Sequence, residues 1–497
     1  MLVFPERVLA GDVPNRDFLH LYGPGSLWVL AGAMKVFGVS LEVERVVGYL
    51  QQLLVAFGVM ALLRPWGRWV AGAGGAVAAL IVVPPIGLTA LPWVGGVGLG
   101  LWAVAAGLHR RLVAAGLLAG AALLYRPDLV LALGAAGVVL AAGLDRIARR
   151  RLAGWTLAGV SPYLVHLATA GPANVVEGLF VEPVFRLRGG RALPLPPSWS
   201  EFDGFLQRAG RLIEPPWPLP APPSPGQLTL WFLLLVTSVV VLVVTAVDVR
   251  RRTGDRRLLV LAAFAAGLLP QALQRADSTH LAWVSCVPLG FLPAAIAELL
   301  GRWRPARRGN RVVAALTPIV LLLALVPHFT LRTWSDYVAQ GFGLRDVDAF
   351  VIEHRGREFR YGRADAVAAV EAMLPVVEDV TEPGQTLLVG TGDLSRTPYS
   401  EAFLYHLLPQ LPPATRYIEM DPGVADAPGS GLAEEVAAAD VVILSSIRDD
   451  WDEPNDSRKA GSDEPNRVLA REFCQVGSYG EGLFGRGLYE LYIRCDR

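Results

Sequence analysis

The sequence contains little charge for its length. Of its 497 residues 18% are charged and 53% are hydrophobic, and the formal net charge is zero. A single soluble globule does not have this composition, and without a basic excess no nucleic-acid-binding surface is implied. Hydrophobic residues concentrate in long runs before about Phe329, and these runs are long enough, or nearly so, to cross the roughly 30 Å hydrocarbon layer of a bilayer. The chain is therefore predicted to be an integral membrane protein.

Cysteine is equally scarce. Cys286 lies within an apolar run, whereas Cys474 and Cys495 lie in the polar C-terminal part. A disulfide between the last two and a pair of free thiols both fit the sequence. A location outside the cell would permit oxidation, and the bond would then close a loop of about twenty residues and contribute roughly 3 kcal/mol.

Five clusters of basic residues separate the apolar runs. Positively charged short loops stay on the cytoplasmic side, so each interval between clusters must hold an outward and a return crossing. The clusters are Arg64/Arg68, His109–Arg111, Arg146–Arg151, Arg250–Arg257 and Arg302–Arg311. The ten predicted spans are Leu41–Leu63, Trp69–Ile86, Ala90–Leu108, Leu112–Tyr125, Leu129–Leu144, Leu152–Thr169, Leu228–Val247, Leu258–Leu273, Leu281–Leu300 and Val312–Phe329.

This topology predicts a polytopic α-helical membrane protein of about ten spans, with a C-terminal extracytoplasmic α/β domain. Residues 1–40 are expected to form an external loop with an interfacial helix, and residues 41–329 the multispan membrane domain, which includes a large external loop at 171–227. Residues 330–497 form the extracytoplasmic domain. The predicted location is the plasma membrane, multi-pass, with the N-terminal loop and the C-terminal domain outside.

The C-terminal domain alternates strand and helix patterns, which predicts a small, mostly parallel sheet. Its predicted strands include 385–390, 415–420 and 440–446. The acidic segment 449–458 is interpreted as a solvated surface loop, with glycan or calcium binding as the alternatives, because it has no EF-hand spacing.

Four polar motifs lie on the same predicted outer face. They are Asn15–His20, Arg126–Asp128, the loop arginines Arg186, Arg188 and Arg191, and Arg275–His280. Arginine offers a planar fork to phosphate oxygens, and a carboxylate accepts a proton or orients a nucleophile. Each motif alone also fits a helix cap or an interfacial anchor. Together they predict a site that binds an anionic phosphate and activates a hydroxyl.

The N-terminal stretch resembles a known group of enzymes. Arg7-Val-Leu-Ala-Gly11-Asp-Val-Pro14-Asn-Arg16-Asp17-Phe-Leu-His20-Leu-Tyr-Gly23-Pro24-Gly25 is similar to the first external loop of GT-C glycosyltransferases, which include protein O-mannosyltransferases and lipid A aminoarabinose transferases. The resemblance implies transfer of a sugar from a polyprenyl-phosphate carrier to an extracytoplasmic acceptor hydroxyl in the cell envelope.

The resemblance also implies a catalytic acid that this sequence does not contain. In the group, an acidic residue near the outer end of the first span is the usual base, and its matching position falls ahead of Met1. We therefore expect the reading frame to continue upstream with one more span and that acidic residue, and the 497-residue chain alone to be inactive.

The candidate site combines the polar motifs with the resemblance. The predicted catalytic residues are Asp17, His20, Asp277 and His280, and the predicted substrate-binding residues are Arg16, Arg126, Asp128 and Arg275. The expected partners are a polyprenyl-phosphate sugar donor, a glycan, lipid or protein acceptor, and the lipid bilayer, without nucleic acid. No metal-ligand cluster is identified, so the cofactor, a divalent metal included, stays open.

The alternative function is a non-catalytic protein that binds or translocates a lipid-linked sugar. A translocator is expected to carry ionisable residues along a path through the bilayer. The predicted spans have almost none at their middles, which favours the transferase.

Overall fold

The computed structural model describes residues 1–83, 87–204, 224–303, 308–325, 338–339, 342–344, 350–482 and 485–495. Helices dominate the part before residue 326, and the strands lie after residue 349. In chain order the helices of the first part are α1 (Val3–Ala10), α2 (Pro24–Phe37), α3 (Leu41–Leu63), α4 (Arg68–Val82), α5 (Pro92–Leu108), α6 (Leu112–Tyr125), α7 (Val130–Ala141), α8 (Arg146–Val160), α9 (Pro162–Ala170), α10 (Pro172–Val176), a π-helix (Glu177–Arg186), α11 (Leu187–Arg191), α12 (Pro225–Thr253), α13 (Arg257–Gln274), α14 (Ser278–Trp303) and α15 (Arg308–Leu325).

Four helices of the described residues are long and apolar enough to cross a membrane, by length and composition. They are Leu41–Trp66, Pro225–Thr253, Arg257–Gln274 and Ser278–Arg302. Five further predicted spans coincide with shorter apolar helices of 10–17 residues. The remaining predicted span, Leu152–Thr169, falls on α8 and α9, where the arginines of Arg146–Arg151 and the break at Ser161-Pro162 interrupt the apolar pattern. The clear spans thus number four among the described residues, rather than about ten.

The ends of α12 illustrate why the long helices begin and end where they do. Ser224 and Gln227 form a reciprocal capping box, and Pro225 occupies the first turn, where its missing N–H costs nothing. At the other end Gly254 adopts a left-handed conformation, with φ 78°. Arg250 to Arg252 precede it and complement the negative end of the helix dipole.

The membrane part has one apolar core. Trp231, Phe264 and Phe291 are fully buried in it, and residues of α3 to α7 and α12 to α15 contribute to the same cluster. Close helix contact depends on small residues: a Cβ on Gly74 would lie 2.5 Å from the carbonyl oxygen of Gly290. The helices therefore pack at a distance that larger residues would prevent.

The C-terminal part contains a two-stranded and a four-stranded sheet. The strands are β1 (Phe350–His354), β2 (Arg357–Tyr361), β3 (Leu387–Thr391), β4 (Val441–Ser445), β5 (Phe473–Tyr479) and β6 (Tyr489–Arg494). The larger sheet has the order β3-β4-β6-β5. Only β3 and β4 pair in parallel, in register Leu387↔Val441, while β6 is antiparallel to both of its neighbours. The predicted mostly parallel sheet is therefore wrong.

Helices and loops complete this domain. The helices are α16 (Ala364–Val380), α17 (Phe403–Leu407), α18 (Leu432–Ala438) and α19 (Glu464–Glu472). The predicted strand at 415–420 is a loop, which leaves its backbone free to approach the N-terminal segment: Leu19 N donates to Arg416 O at 2.9 Å. Cys474 in β5 and Cys495 after β6 are joined by a disulfide, with Cα atoms 4.9 Å apart.

The N-terminal segment packs into the C-terminal domain rather than standing apart from it. Val3, Phe4 and Phe18 belong to the same buried cluster as Leu387 and Ile443 of the central strands. A second cluster contains Leu19 of this segment and Leu187 of α11. The N-terminal segment and helix α11 therefore both pack against the C-terminal domain.

Candidate functional site

Three cavities lie where the membrane helices, the N-terminal segment and the C-terminal domain meet. The first, here called the arginine cavity, has a volume of about 160 Å³ and is lined by the ends of α6 and α13, the start of α14 and the helices around α11. Its polar lining residues are Tyr22, Arg126, Asp128, Arg191, Gln271, Gln274, Arg275 and His280. Four residues of the predicted site, Arg126, Asp128, Arg275 and His280, thus share one cavity.

Arg126 is held rigidly at the end of α6. Its Nε and Nη2 donate to Asp128 at 2.8 and 2.6 Å, and Nη2 also donates to Gln271 Oε1 at 3.3 Å. The guanidinium lies over the rings of Tyr22 and Trp93, 4.6 and 5.0 Å from their centroids. Its remaining nitrogen, Nη1, has no hydrogen bond to a described residue. Arg126 is therefore a fixed cation that packs against two aromatic rings and keeps one donor group without a partner among the described residues.

A glycine allows Tyr22 to approach Arg126. A Cβ on Gly23 would lie 2.0 Å from the carbonyl oxygen of Leu124, and Gly23 N donates to Tyr125 O at 3.1 Å. Any side chain at position 23 would therefore push the N-terminal segment away from the end of α6. This close contact between the two backbones explains why the Gly23-Pro24-Gly25 sequence begins with glycine.

Arg275 lines the same cavity but is committed to protein acceptors. Nε donates to Asp277 at 2.6 Å, Nη1 to Glu453 at 2.7 Å and to Arg191 O at 2.9 Å, and Nη2 to Glu453 at 2.5 Å. The side chains of Arg275, Asp277 and Glu453 are 2%, 0% and 0% exposed. Every guanidinium nitrogen of Arg275 therefore already has a protein partner, which supports a structural role, and its role as a phosphate ligand stays a prediction.

Asp277 both pairs with Arg275 and caps α14. Its Oδ1 accepts from the backbone N–H of His280 at 2.8 Å and contacts His280 Nδ1 at 2.8 Å. Burial alone raises the pKa of Asp277, but His280 and Arg275 together hold it well below its usual value. Asp277 is thus an ionised helix cap that fixes the His280 ring, and its catalytic role stays a prediction.

Arg191 is the least committed of the arginines that meet here. No described residue accepts a hydrogen bond from its guanidinium, and the nearest carboxylate oxygen, Asp421 Oδ1, is 3.8 Å from Nη1. Tyr399 lies 5.7 Å from it in a cation–π contact. Burial lowers the pKa of Arg191, but Tyr399, Tyr22 and Asp421 raise it more, so the group remains charged.

Glycine also positions Arg191. A Cβ on Gly190 would lie 2.5 Å from the carbonyl oxygen of Pro422. The backbone before Arg191 therefore runs directly against the loop that carries Asp421. This close approach places Arg191, which belongs to the predicted large external loop, against the C-terminal domain.

A narrow crevice of about 20 Å³ adjoins the arginine cavity at Tyr22 and is lined by His20, Glu419 and Asp421. Burial and, to a smaller extent, the charge of nearby Glu419 raise the pKa of Asp421 to about 7. A carboxylate with this pKa is suited to act as a general base at neutral pH. Met420 between these acids has a φ of 51°, a left-handed conformation that costs about 1–3 kcal/mol for a residue of this kind.

His20 lines this crevice as a neutral side chain. It is 3% exposed, and burial, with contributions from His166 and Arg126, lowers its pKa to about 3. Nε2 has no hydrogen-bond partner among the described residues. The predicted catalytic His20 is therefore near the arginines, but its low pKa makes it a weak base.

Arg16 and Asp17 line none of the three cavities. Arg16 Nη2 donates to Asp17 at 2.8 Å, Val13 N donates to the same carboxylate at 2.7 Å, and the Arg16 side chain is 47% exposed. The hydrogen bond from Arg16, set against the effect of burial, lowers the pKa of Asp17. This pair closes the turn at residues 13–17, and the structure does not bring it together with the other predicted site residues.

The third and largest cavity, here called the junction cavity, has a volume of about 460 Å³. Met1, α3 and the C-terminal domain form its walls, and Arg191 lines it as well as the arginine cavity. Among the described residues no group of three or more His, Cys, Asp or Glu side chains is placed to hold a metal ion. The site as described therefore consists of arginines, carboxylates and aromatic rings.

Sequence reasoning missed Asp421, Glu419, Tyr399 and Glu453, and it grouped Arg191 with two other loop arginines. Glu419 lies in the segment 415–420, interpreted as a strand, Asp421 directly follows that segment, and Glu453 lies in a loop interpreted as solvated. A signal was available for Arg191 alone, because only this loop arginine follows a Gly-Gly pair that permits a close backbone approach.

Comparisons with known proteins give the following result. No protein-family model and no curated protein sequence matches the chain. It is similar to the crystal structure of ArnT from Cupriavidus metallidurans bound to undecaprenyl phosphate, with 14% identity, a TM-score of 0.48, and coverage of 98% of this chain and 92% of that chain. It is also similar to the oligosaccharyltransferase AglB from Archaeoglobus fulgidus in complex with an inhibitory peptide and a dolichol-phosphate, with 13% identity, a TM-score of 0.47, and coverage of 88% and 63%.

These are GT-C glycosyltransferases. The resemblance expected from the N-terminal sequence is confirmed at the level of structural similarity. With TM-scores below 0.5 the similarity does not decide the reaction, which is inferred from the residues of the three cavities.

Proposed function

We propose that the chain is a membrane glycosyltransferase that moves a sugar from a polyprenyl-phosphate carrier to an extracytoplasmic acceptor hydroxyl. One observation carries this proposal: the arginine cavity joins two cations, Arg126 and Arg191, to the crevice that contains Asp421. Fixed arginines stabilise a phosphate as it leaves, and a carboxylate with a pKa of about 7 accepts the proton of an attacking hydroxyl.

A lipid carrier explains the apolar side of the arginine cavity. Leu179, Val184 and Leu187 line it beside the arginines, and Val130 and Leu131 of α7, directly after the Arg126–Asp128 motif, are 55% and 54% exposed. A phosphate on Arg126 would therefore leave its attached hydrocarbon chain beside apolar surface, where burial from water is favourable.

The proposed reaction is a single displacement. The acceptor oxygen forms a bond to the anomeric carbon, and the bond from that carbon to the phosphate oxygen breaks. The electron pair stays on the carrier phosphate, whose charge Arg126 and Arg191 stabilise, and the hydroxyl proton passes to Asp421. Arg275, Asp277 and Glu453 act as positioning residues, because they fix the wall of the arginine cavity against the C-terminal domain.

The finer topology belongs to the same proposal. We infer that the five shorter apolar helices and the segment Leu152–Thr169 cross the bilayer together with the four long helices, giving about ten crossings in the plasma membrane. In this arrangement residues 1–40 and 330–497 are extracytoplasmic and residues 41–329 form the membrane domain. The three cavities then lie on the outer face, where polyprenyl-linked sugars are the available donors.

Binding of undecaprenyl phosphate to the full chain in lipid nanodiscs tests the proposal. Arg126→Gln and Arg191→Gln are each expected to weaken binding by about 10- to 100-fold, the effect of losing one charge-assisted hydrogen bond. Arg188→Gln is the matched control, because Arg188 lies on the same short helix, α11, but is exposed. Equal binding of undecaprenol, which lacks the phosphate, or equal losses in Arg188→Gln, would contradict the proposed site.

A further inference from the structure

The side-chain charges that line the junction cavity balance. Three glutamates and three arginines face it: Glu44, Glu401, Glu419, Arg45, Arg191 and Arg448. The arginine cavity differs, because Arg126 and Arg191 face it beside a single carboxylate, Asp128, while the charge of Arg275 is balanced by the buried Asp277 and Glu453. The two adjoining cavities therefore favour ligands of different charge, an anion in the arginine cavity and an uncharged polar molecule in the junction cavity.

Glu401 has hydrogen-bonding capacity that the protein does not use. Its side chain is 3% exposed, and the nearest cation, Arg448 Nε, is 3.6 Å from Oε1. Neither Glu401 Oε1 nor Arg448 Nε has a hydrogen-bond partner among the described residues. These two atoms form an ion pair but are too far apart for a hydrogen bond to each other. A ligand group that donates to Oε1 and accepts from Nε would therefore satisfy both. Hydroxyl groups do both.

Aromatic rings supply the other part of the wall. Tyr399 and Trp451 pack edge to face with centroids 5.2 Å apart, and Phe359 stacks on Phe403 at 4.4 Å. Tyr399 adopts a φ of 80°, and strain at an aromatic residue of this kind is concentrated at binding and catalytic sites. Ring faces beside paired charges suit a ligand with an apolar face and a polar edge.

We propose that the junction cavity binds the acceptor, and that this acceptor is an uncharged, hydroxyl-rich saccharide. The inference rests on the proposed function and names its substrate class. A volume of about 460 Å³ lies within the range of about 300–1,000 Å³ that is usual for small-molecule sites. Arg191 lines both cavities, so a saccharide bound in the junction cavity presents a hydroxyl next to the proposed phosphate position and next to the crevice with Asp421.

A glycan array tests this assignment with the full chain in nanodiscs as the probe. The spots carry neutral oligosaccharides, the same oligosaccharides bearing sulfate or carboxylate groups, and unglycosylated peptides. Wild-type protein is expected to be retained on neutral oligosaccharides at least about tenfold more than on the charged or peptide spots. Glu401→Gln is expected to lower this retention by about tenfold or more, the loss of a charge-assisted contact.

Two further variants sharpen the test. Arg448→Gln, at a side chain that is 27% exposed, is expected to lower retention as well and replaces Glu401→Gln if the latter does not fold. Glu434→Gln, at an exposed position of α18, is the control and is expected to behave as wild type. Undecaprenyl phosphate binding is expected to be unchanged in all three variants.

Retention on anionic glycans or peptides in preference to neutral ones would overturn the assignment, as would wild-type retention by both Glu401→Gln and Arg448→Gln. Loss of lipid-phosphate binding together with glycan binding would also overturn it, because the effect would not be confined to the junction cavity. Glycan retention without any binding of undecaprenyl phosphate by the wild type would instead refute the proposed function and leave the saccharide site standing.

Discussion

Removing Glu453 is expected to loosen the C-terminal domain from the membrane helices. Glu453 accepts two of the four hydrogen bonds that Arg275 donates, and both side chains are almost fully buried. Breaking a buried ion pair by deleting one partner costs about 3–5 kcal/mol, because the other charge is left uncompensated. Asp277 retains part of the compensation, so the lower end, about 3 kcal/mol, is the expected cost of Glu453→Ala.

Hydrogen exchange of the segment 449–458 measures this cost. A loss of about 3 kcal/mol corresponds to an opening equilibrium about 100-fold more favourable, and the backbone amides of this segment should exchange faster by about that factor. Asp452→Asn in the same segment is the matched control. Its partner is the exposed Arg458, with side chains 62% and 52% exposed, and such pairs contribute about 1 kcal/mol or less.

A double-mutant cycle separates the pair from its surroundings. Arg275→Ala combined with Glu453→Ala should cost less than the two single changes added together, by about 1–3 kcal/mol, because the double variant leaves neither Arg275 nor Glu453 buried without the other. Strictly additive effects, or exchange in Glu453→Ala within twofold of the wild type, would refute the inference that this pair fixes the two parts of the molecule together.

Two further predictions concern the C-terminal domain. Sugar transfer should rise about tenfold between pH 6 and pH 8, because a carboxyl group with a pKa of about 7 is mostly protonated at pH 6 and mostly ionised at pH 8. Glu419 raises the pKa of Asp421 and Arg191 lowers it. A kcat/KM profile of Asp421→Asn that keeps this rise would contradict the role of Asp421 as the base. Replacing Cys474 and Cys495 by Ala should lower the free energy of unfolding by roughly 3 kcal/mol, which thermal unfolding measures. On intact cells, a membrane-impermeant thiol reagent should label the native cysteines only after reduction. Labelling before reduction would contradict an extracytoplasmic disulfide.

The helical part of the fold follows from local sequence. Apolar runs interrupted by arginine clusters predict helices and their ends, and nine of ten predicted spans coincide with apolar helices. The tenth, Leu152–Thr169, does not coincide with a single apolar helix, because its residues are divided between α8 and α9 at Pro162. Hydropathy predicts where the helices lie, whereas a bilayer crossing also depends on helix length, and five of these helices have only 10–17 residues.

The sheet was harder to predict than the helices. A buried apolar run fixes a strand but not the direction of its neighbour. β6 and β5 form a hairpin-like antiparallel pair after β4, and nothing in Tyr489–Arg494 distinguishes that arrangement from a parallel one. The segment 415–420 has strand-like residues, but its backbone is used to hold the N-terminal segment through Arg416.

The candidate site was predictable only where residues lie at helix ends. Arg126, Asp128, Arg275 and His280 lie there, and one topological argument brings them to one face. Asp421 and Glu453 depend on contacts between segments that are far apart in the chain; Arg275 and Glu453 are separated by 178 positions. A buried carboxylate in an acidic loop cannot be told from an exposed one until its cationic partner is known.

The central claim is that the chain consumes a polyprenyl-linked sugar, and lipid mass spectrometry of the host cell tests it most directly. Deleting the gene should cause one polyprenyl-phosphate sugar to accumulate, and the wild-type gene should remove it. In the deletion strain, the Asp421→Asn variant should reach the membrane at normal abundance, but the polyprenyl-phosphate sugar should still accumulate. A pool of lipid-linked sugars that is the same with and without the gene would contradict the account.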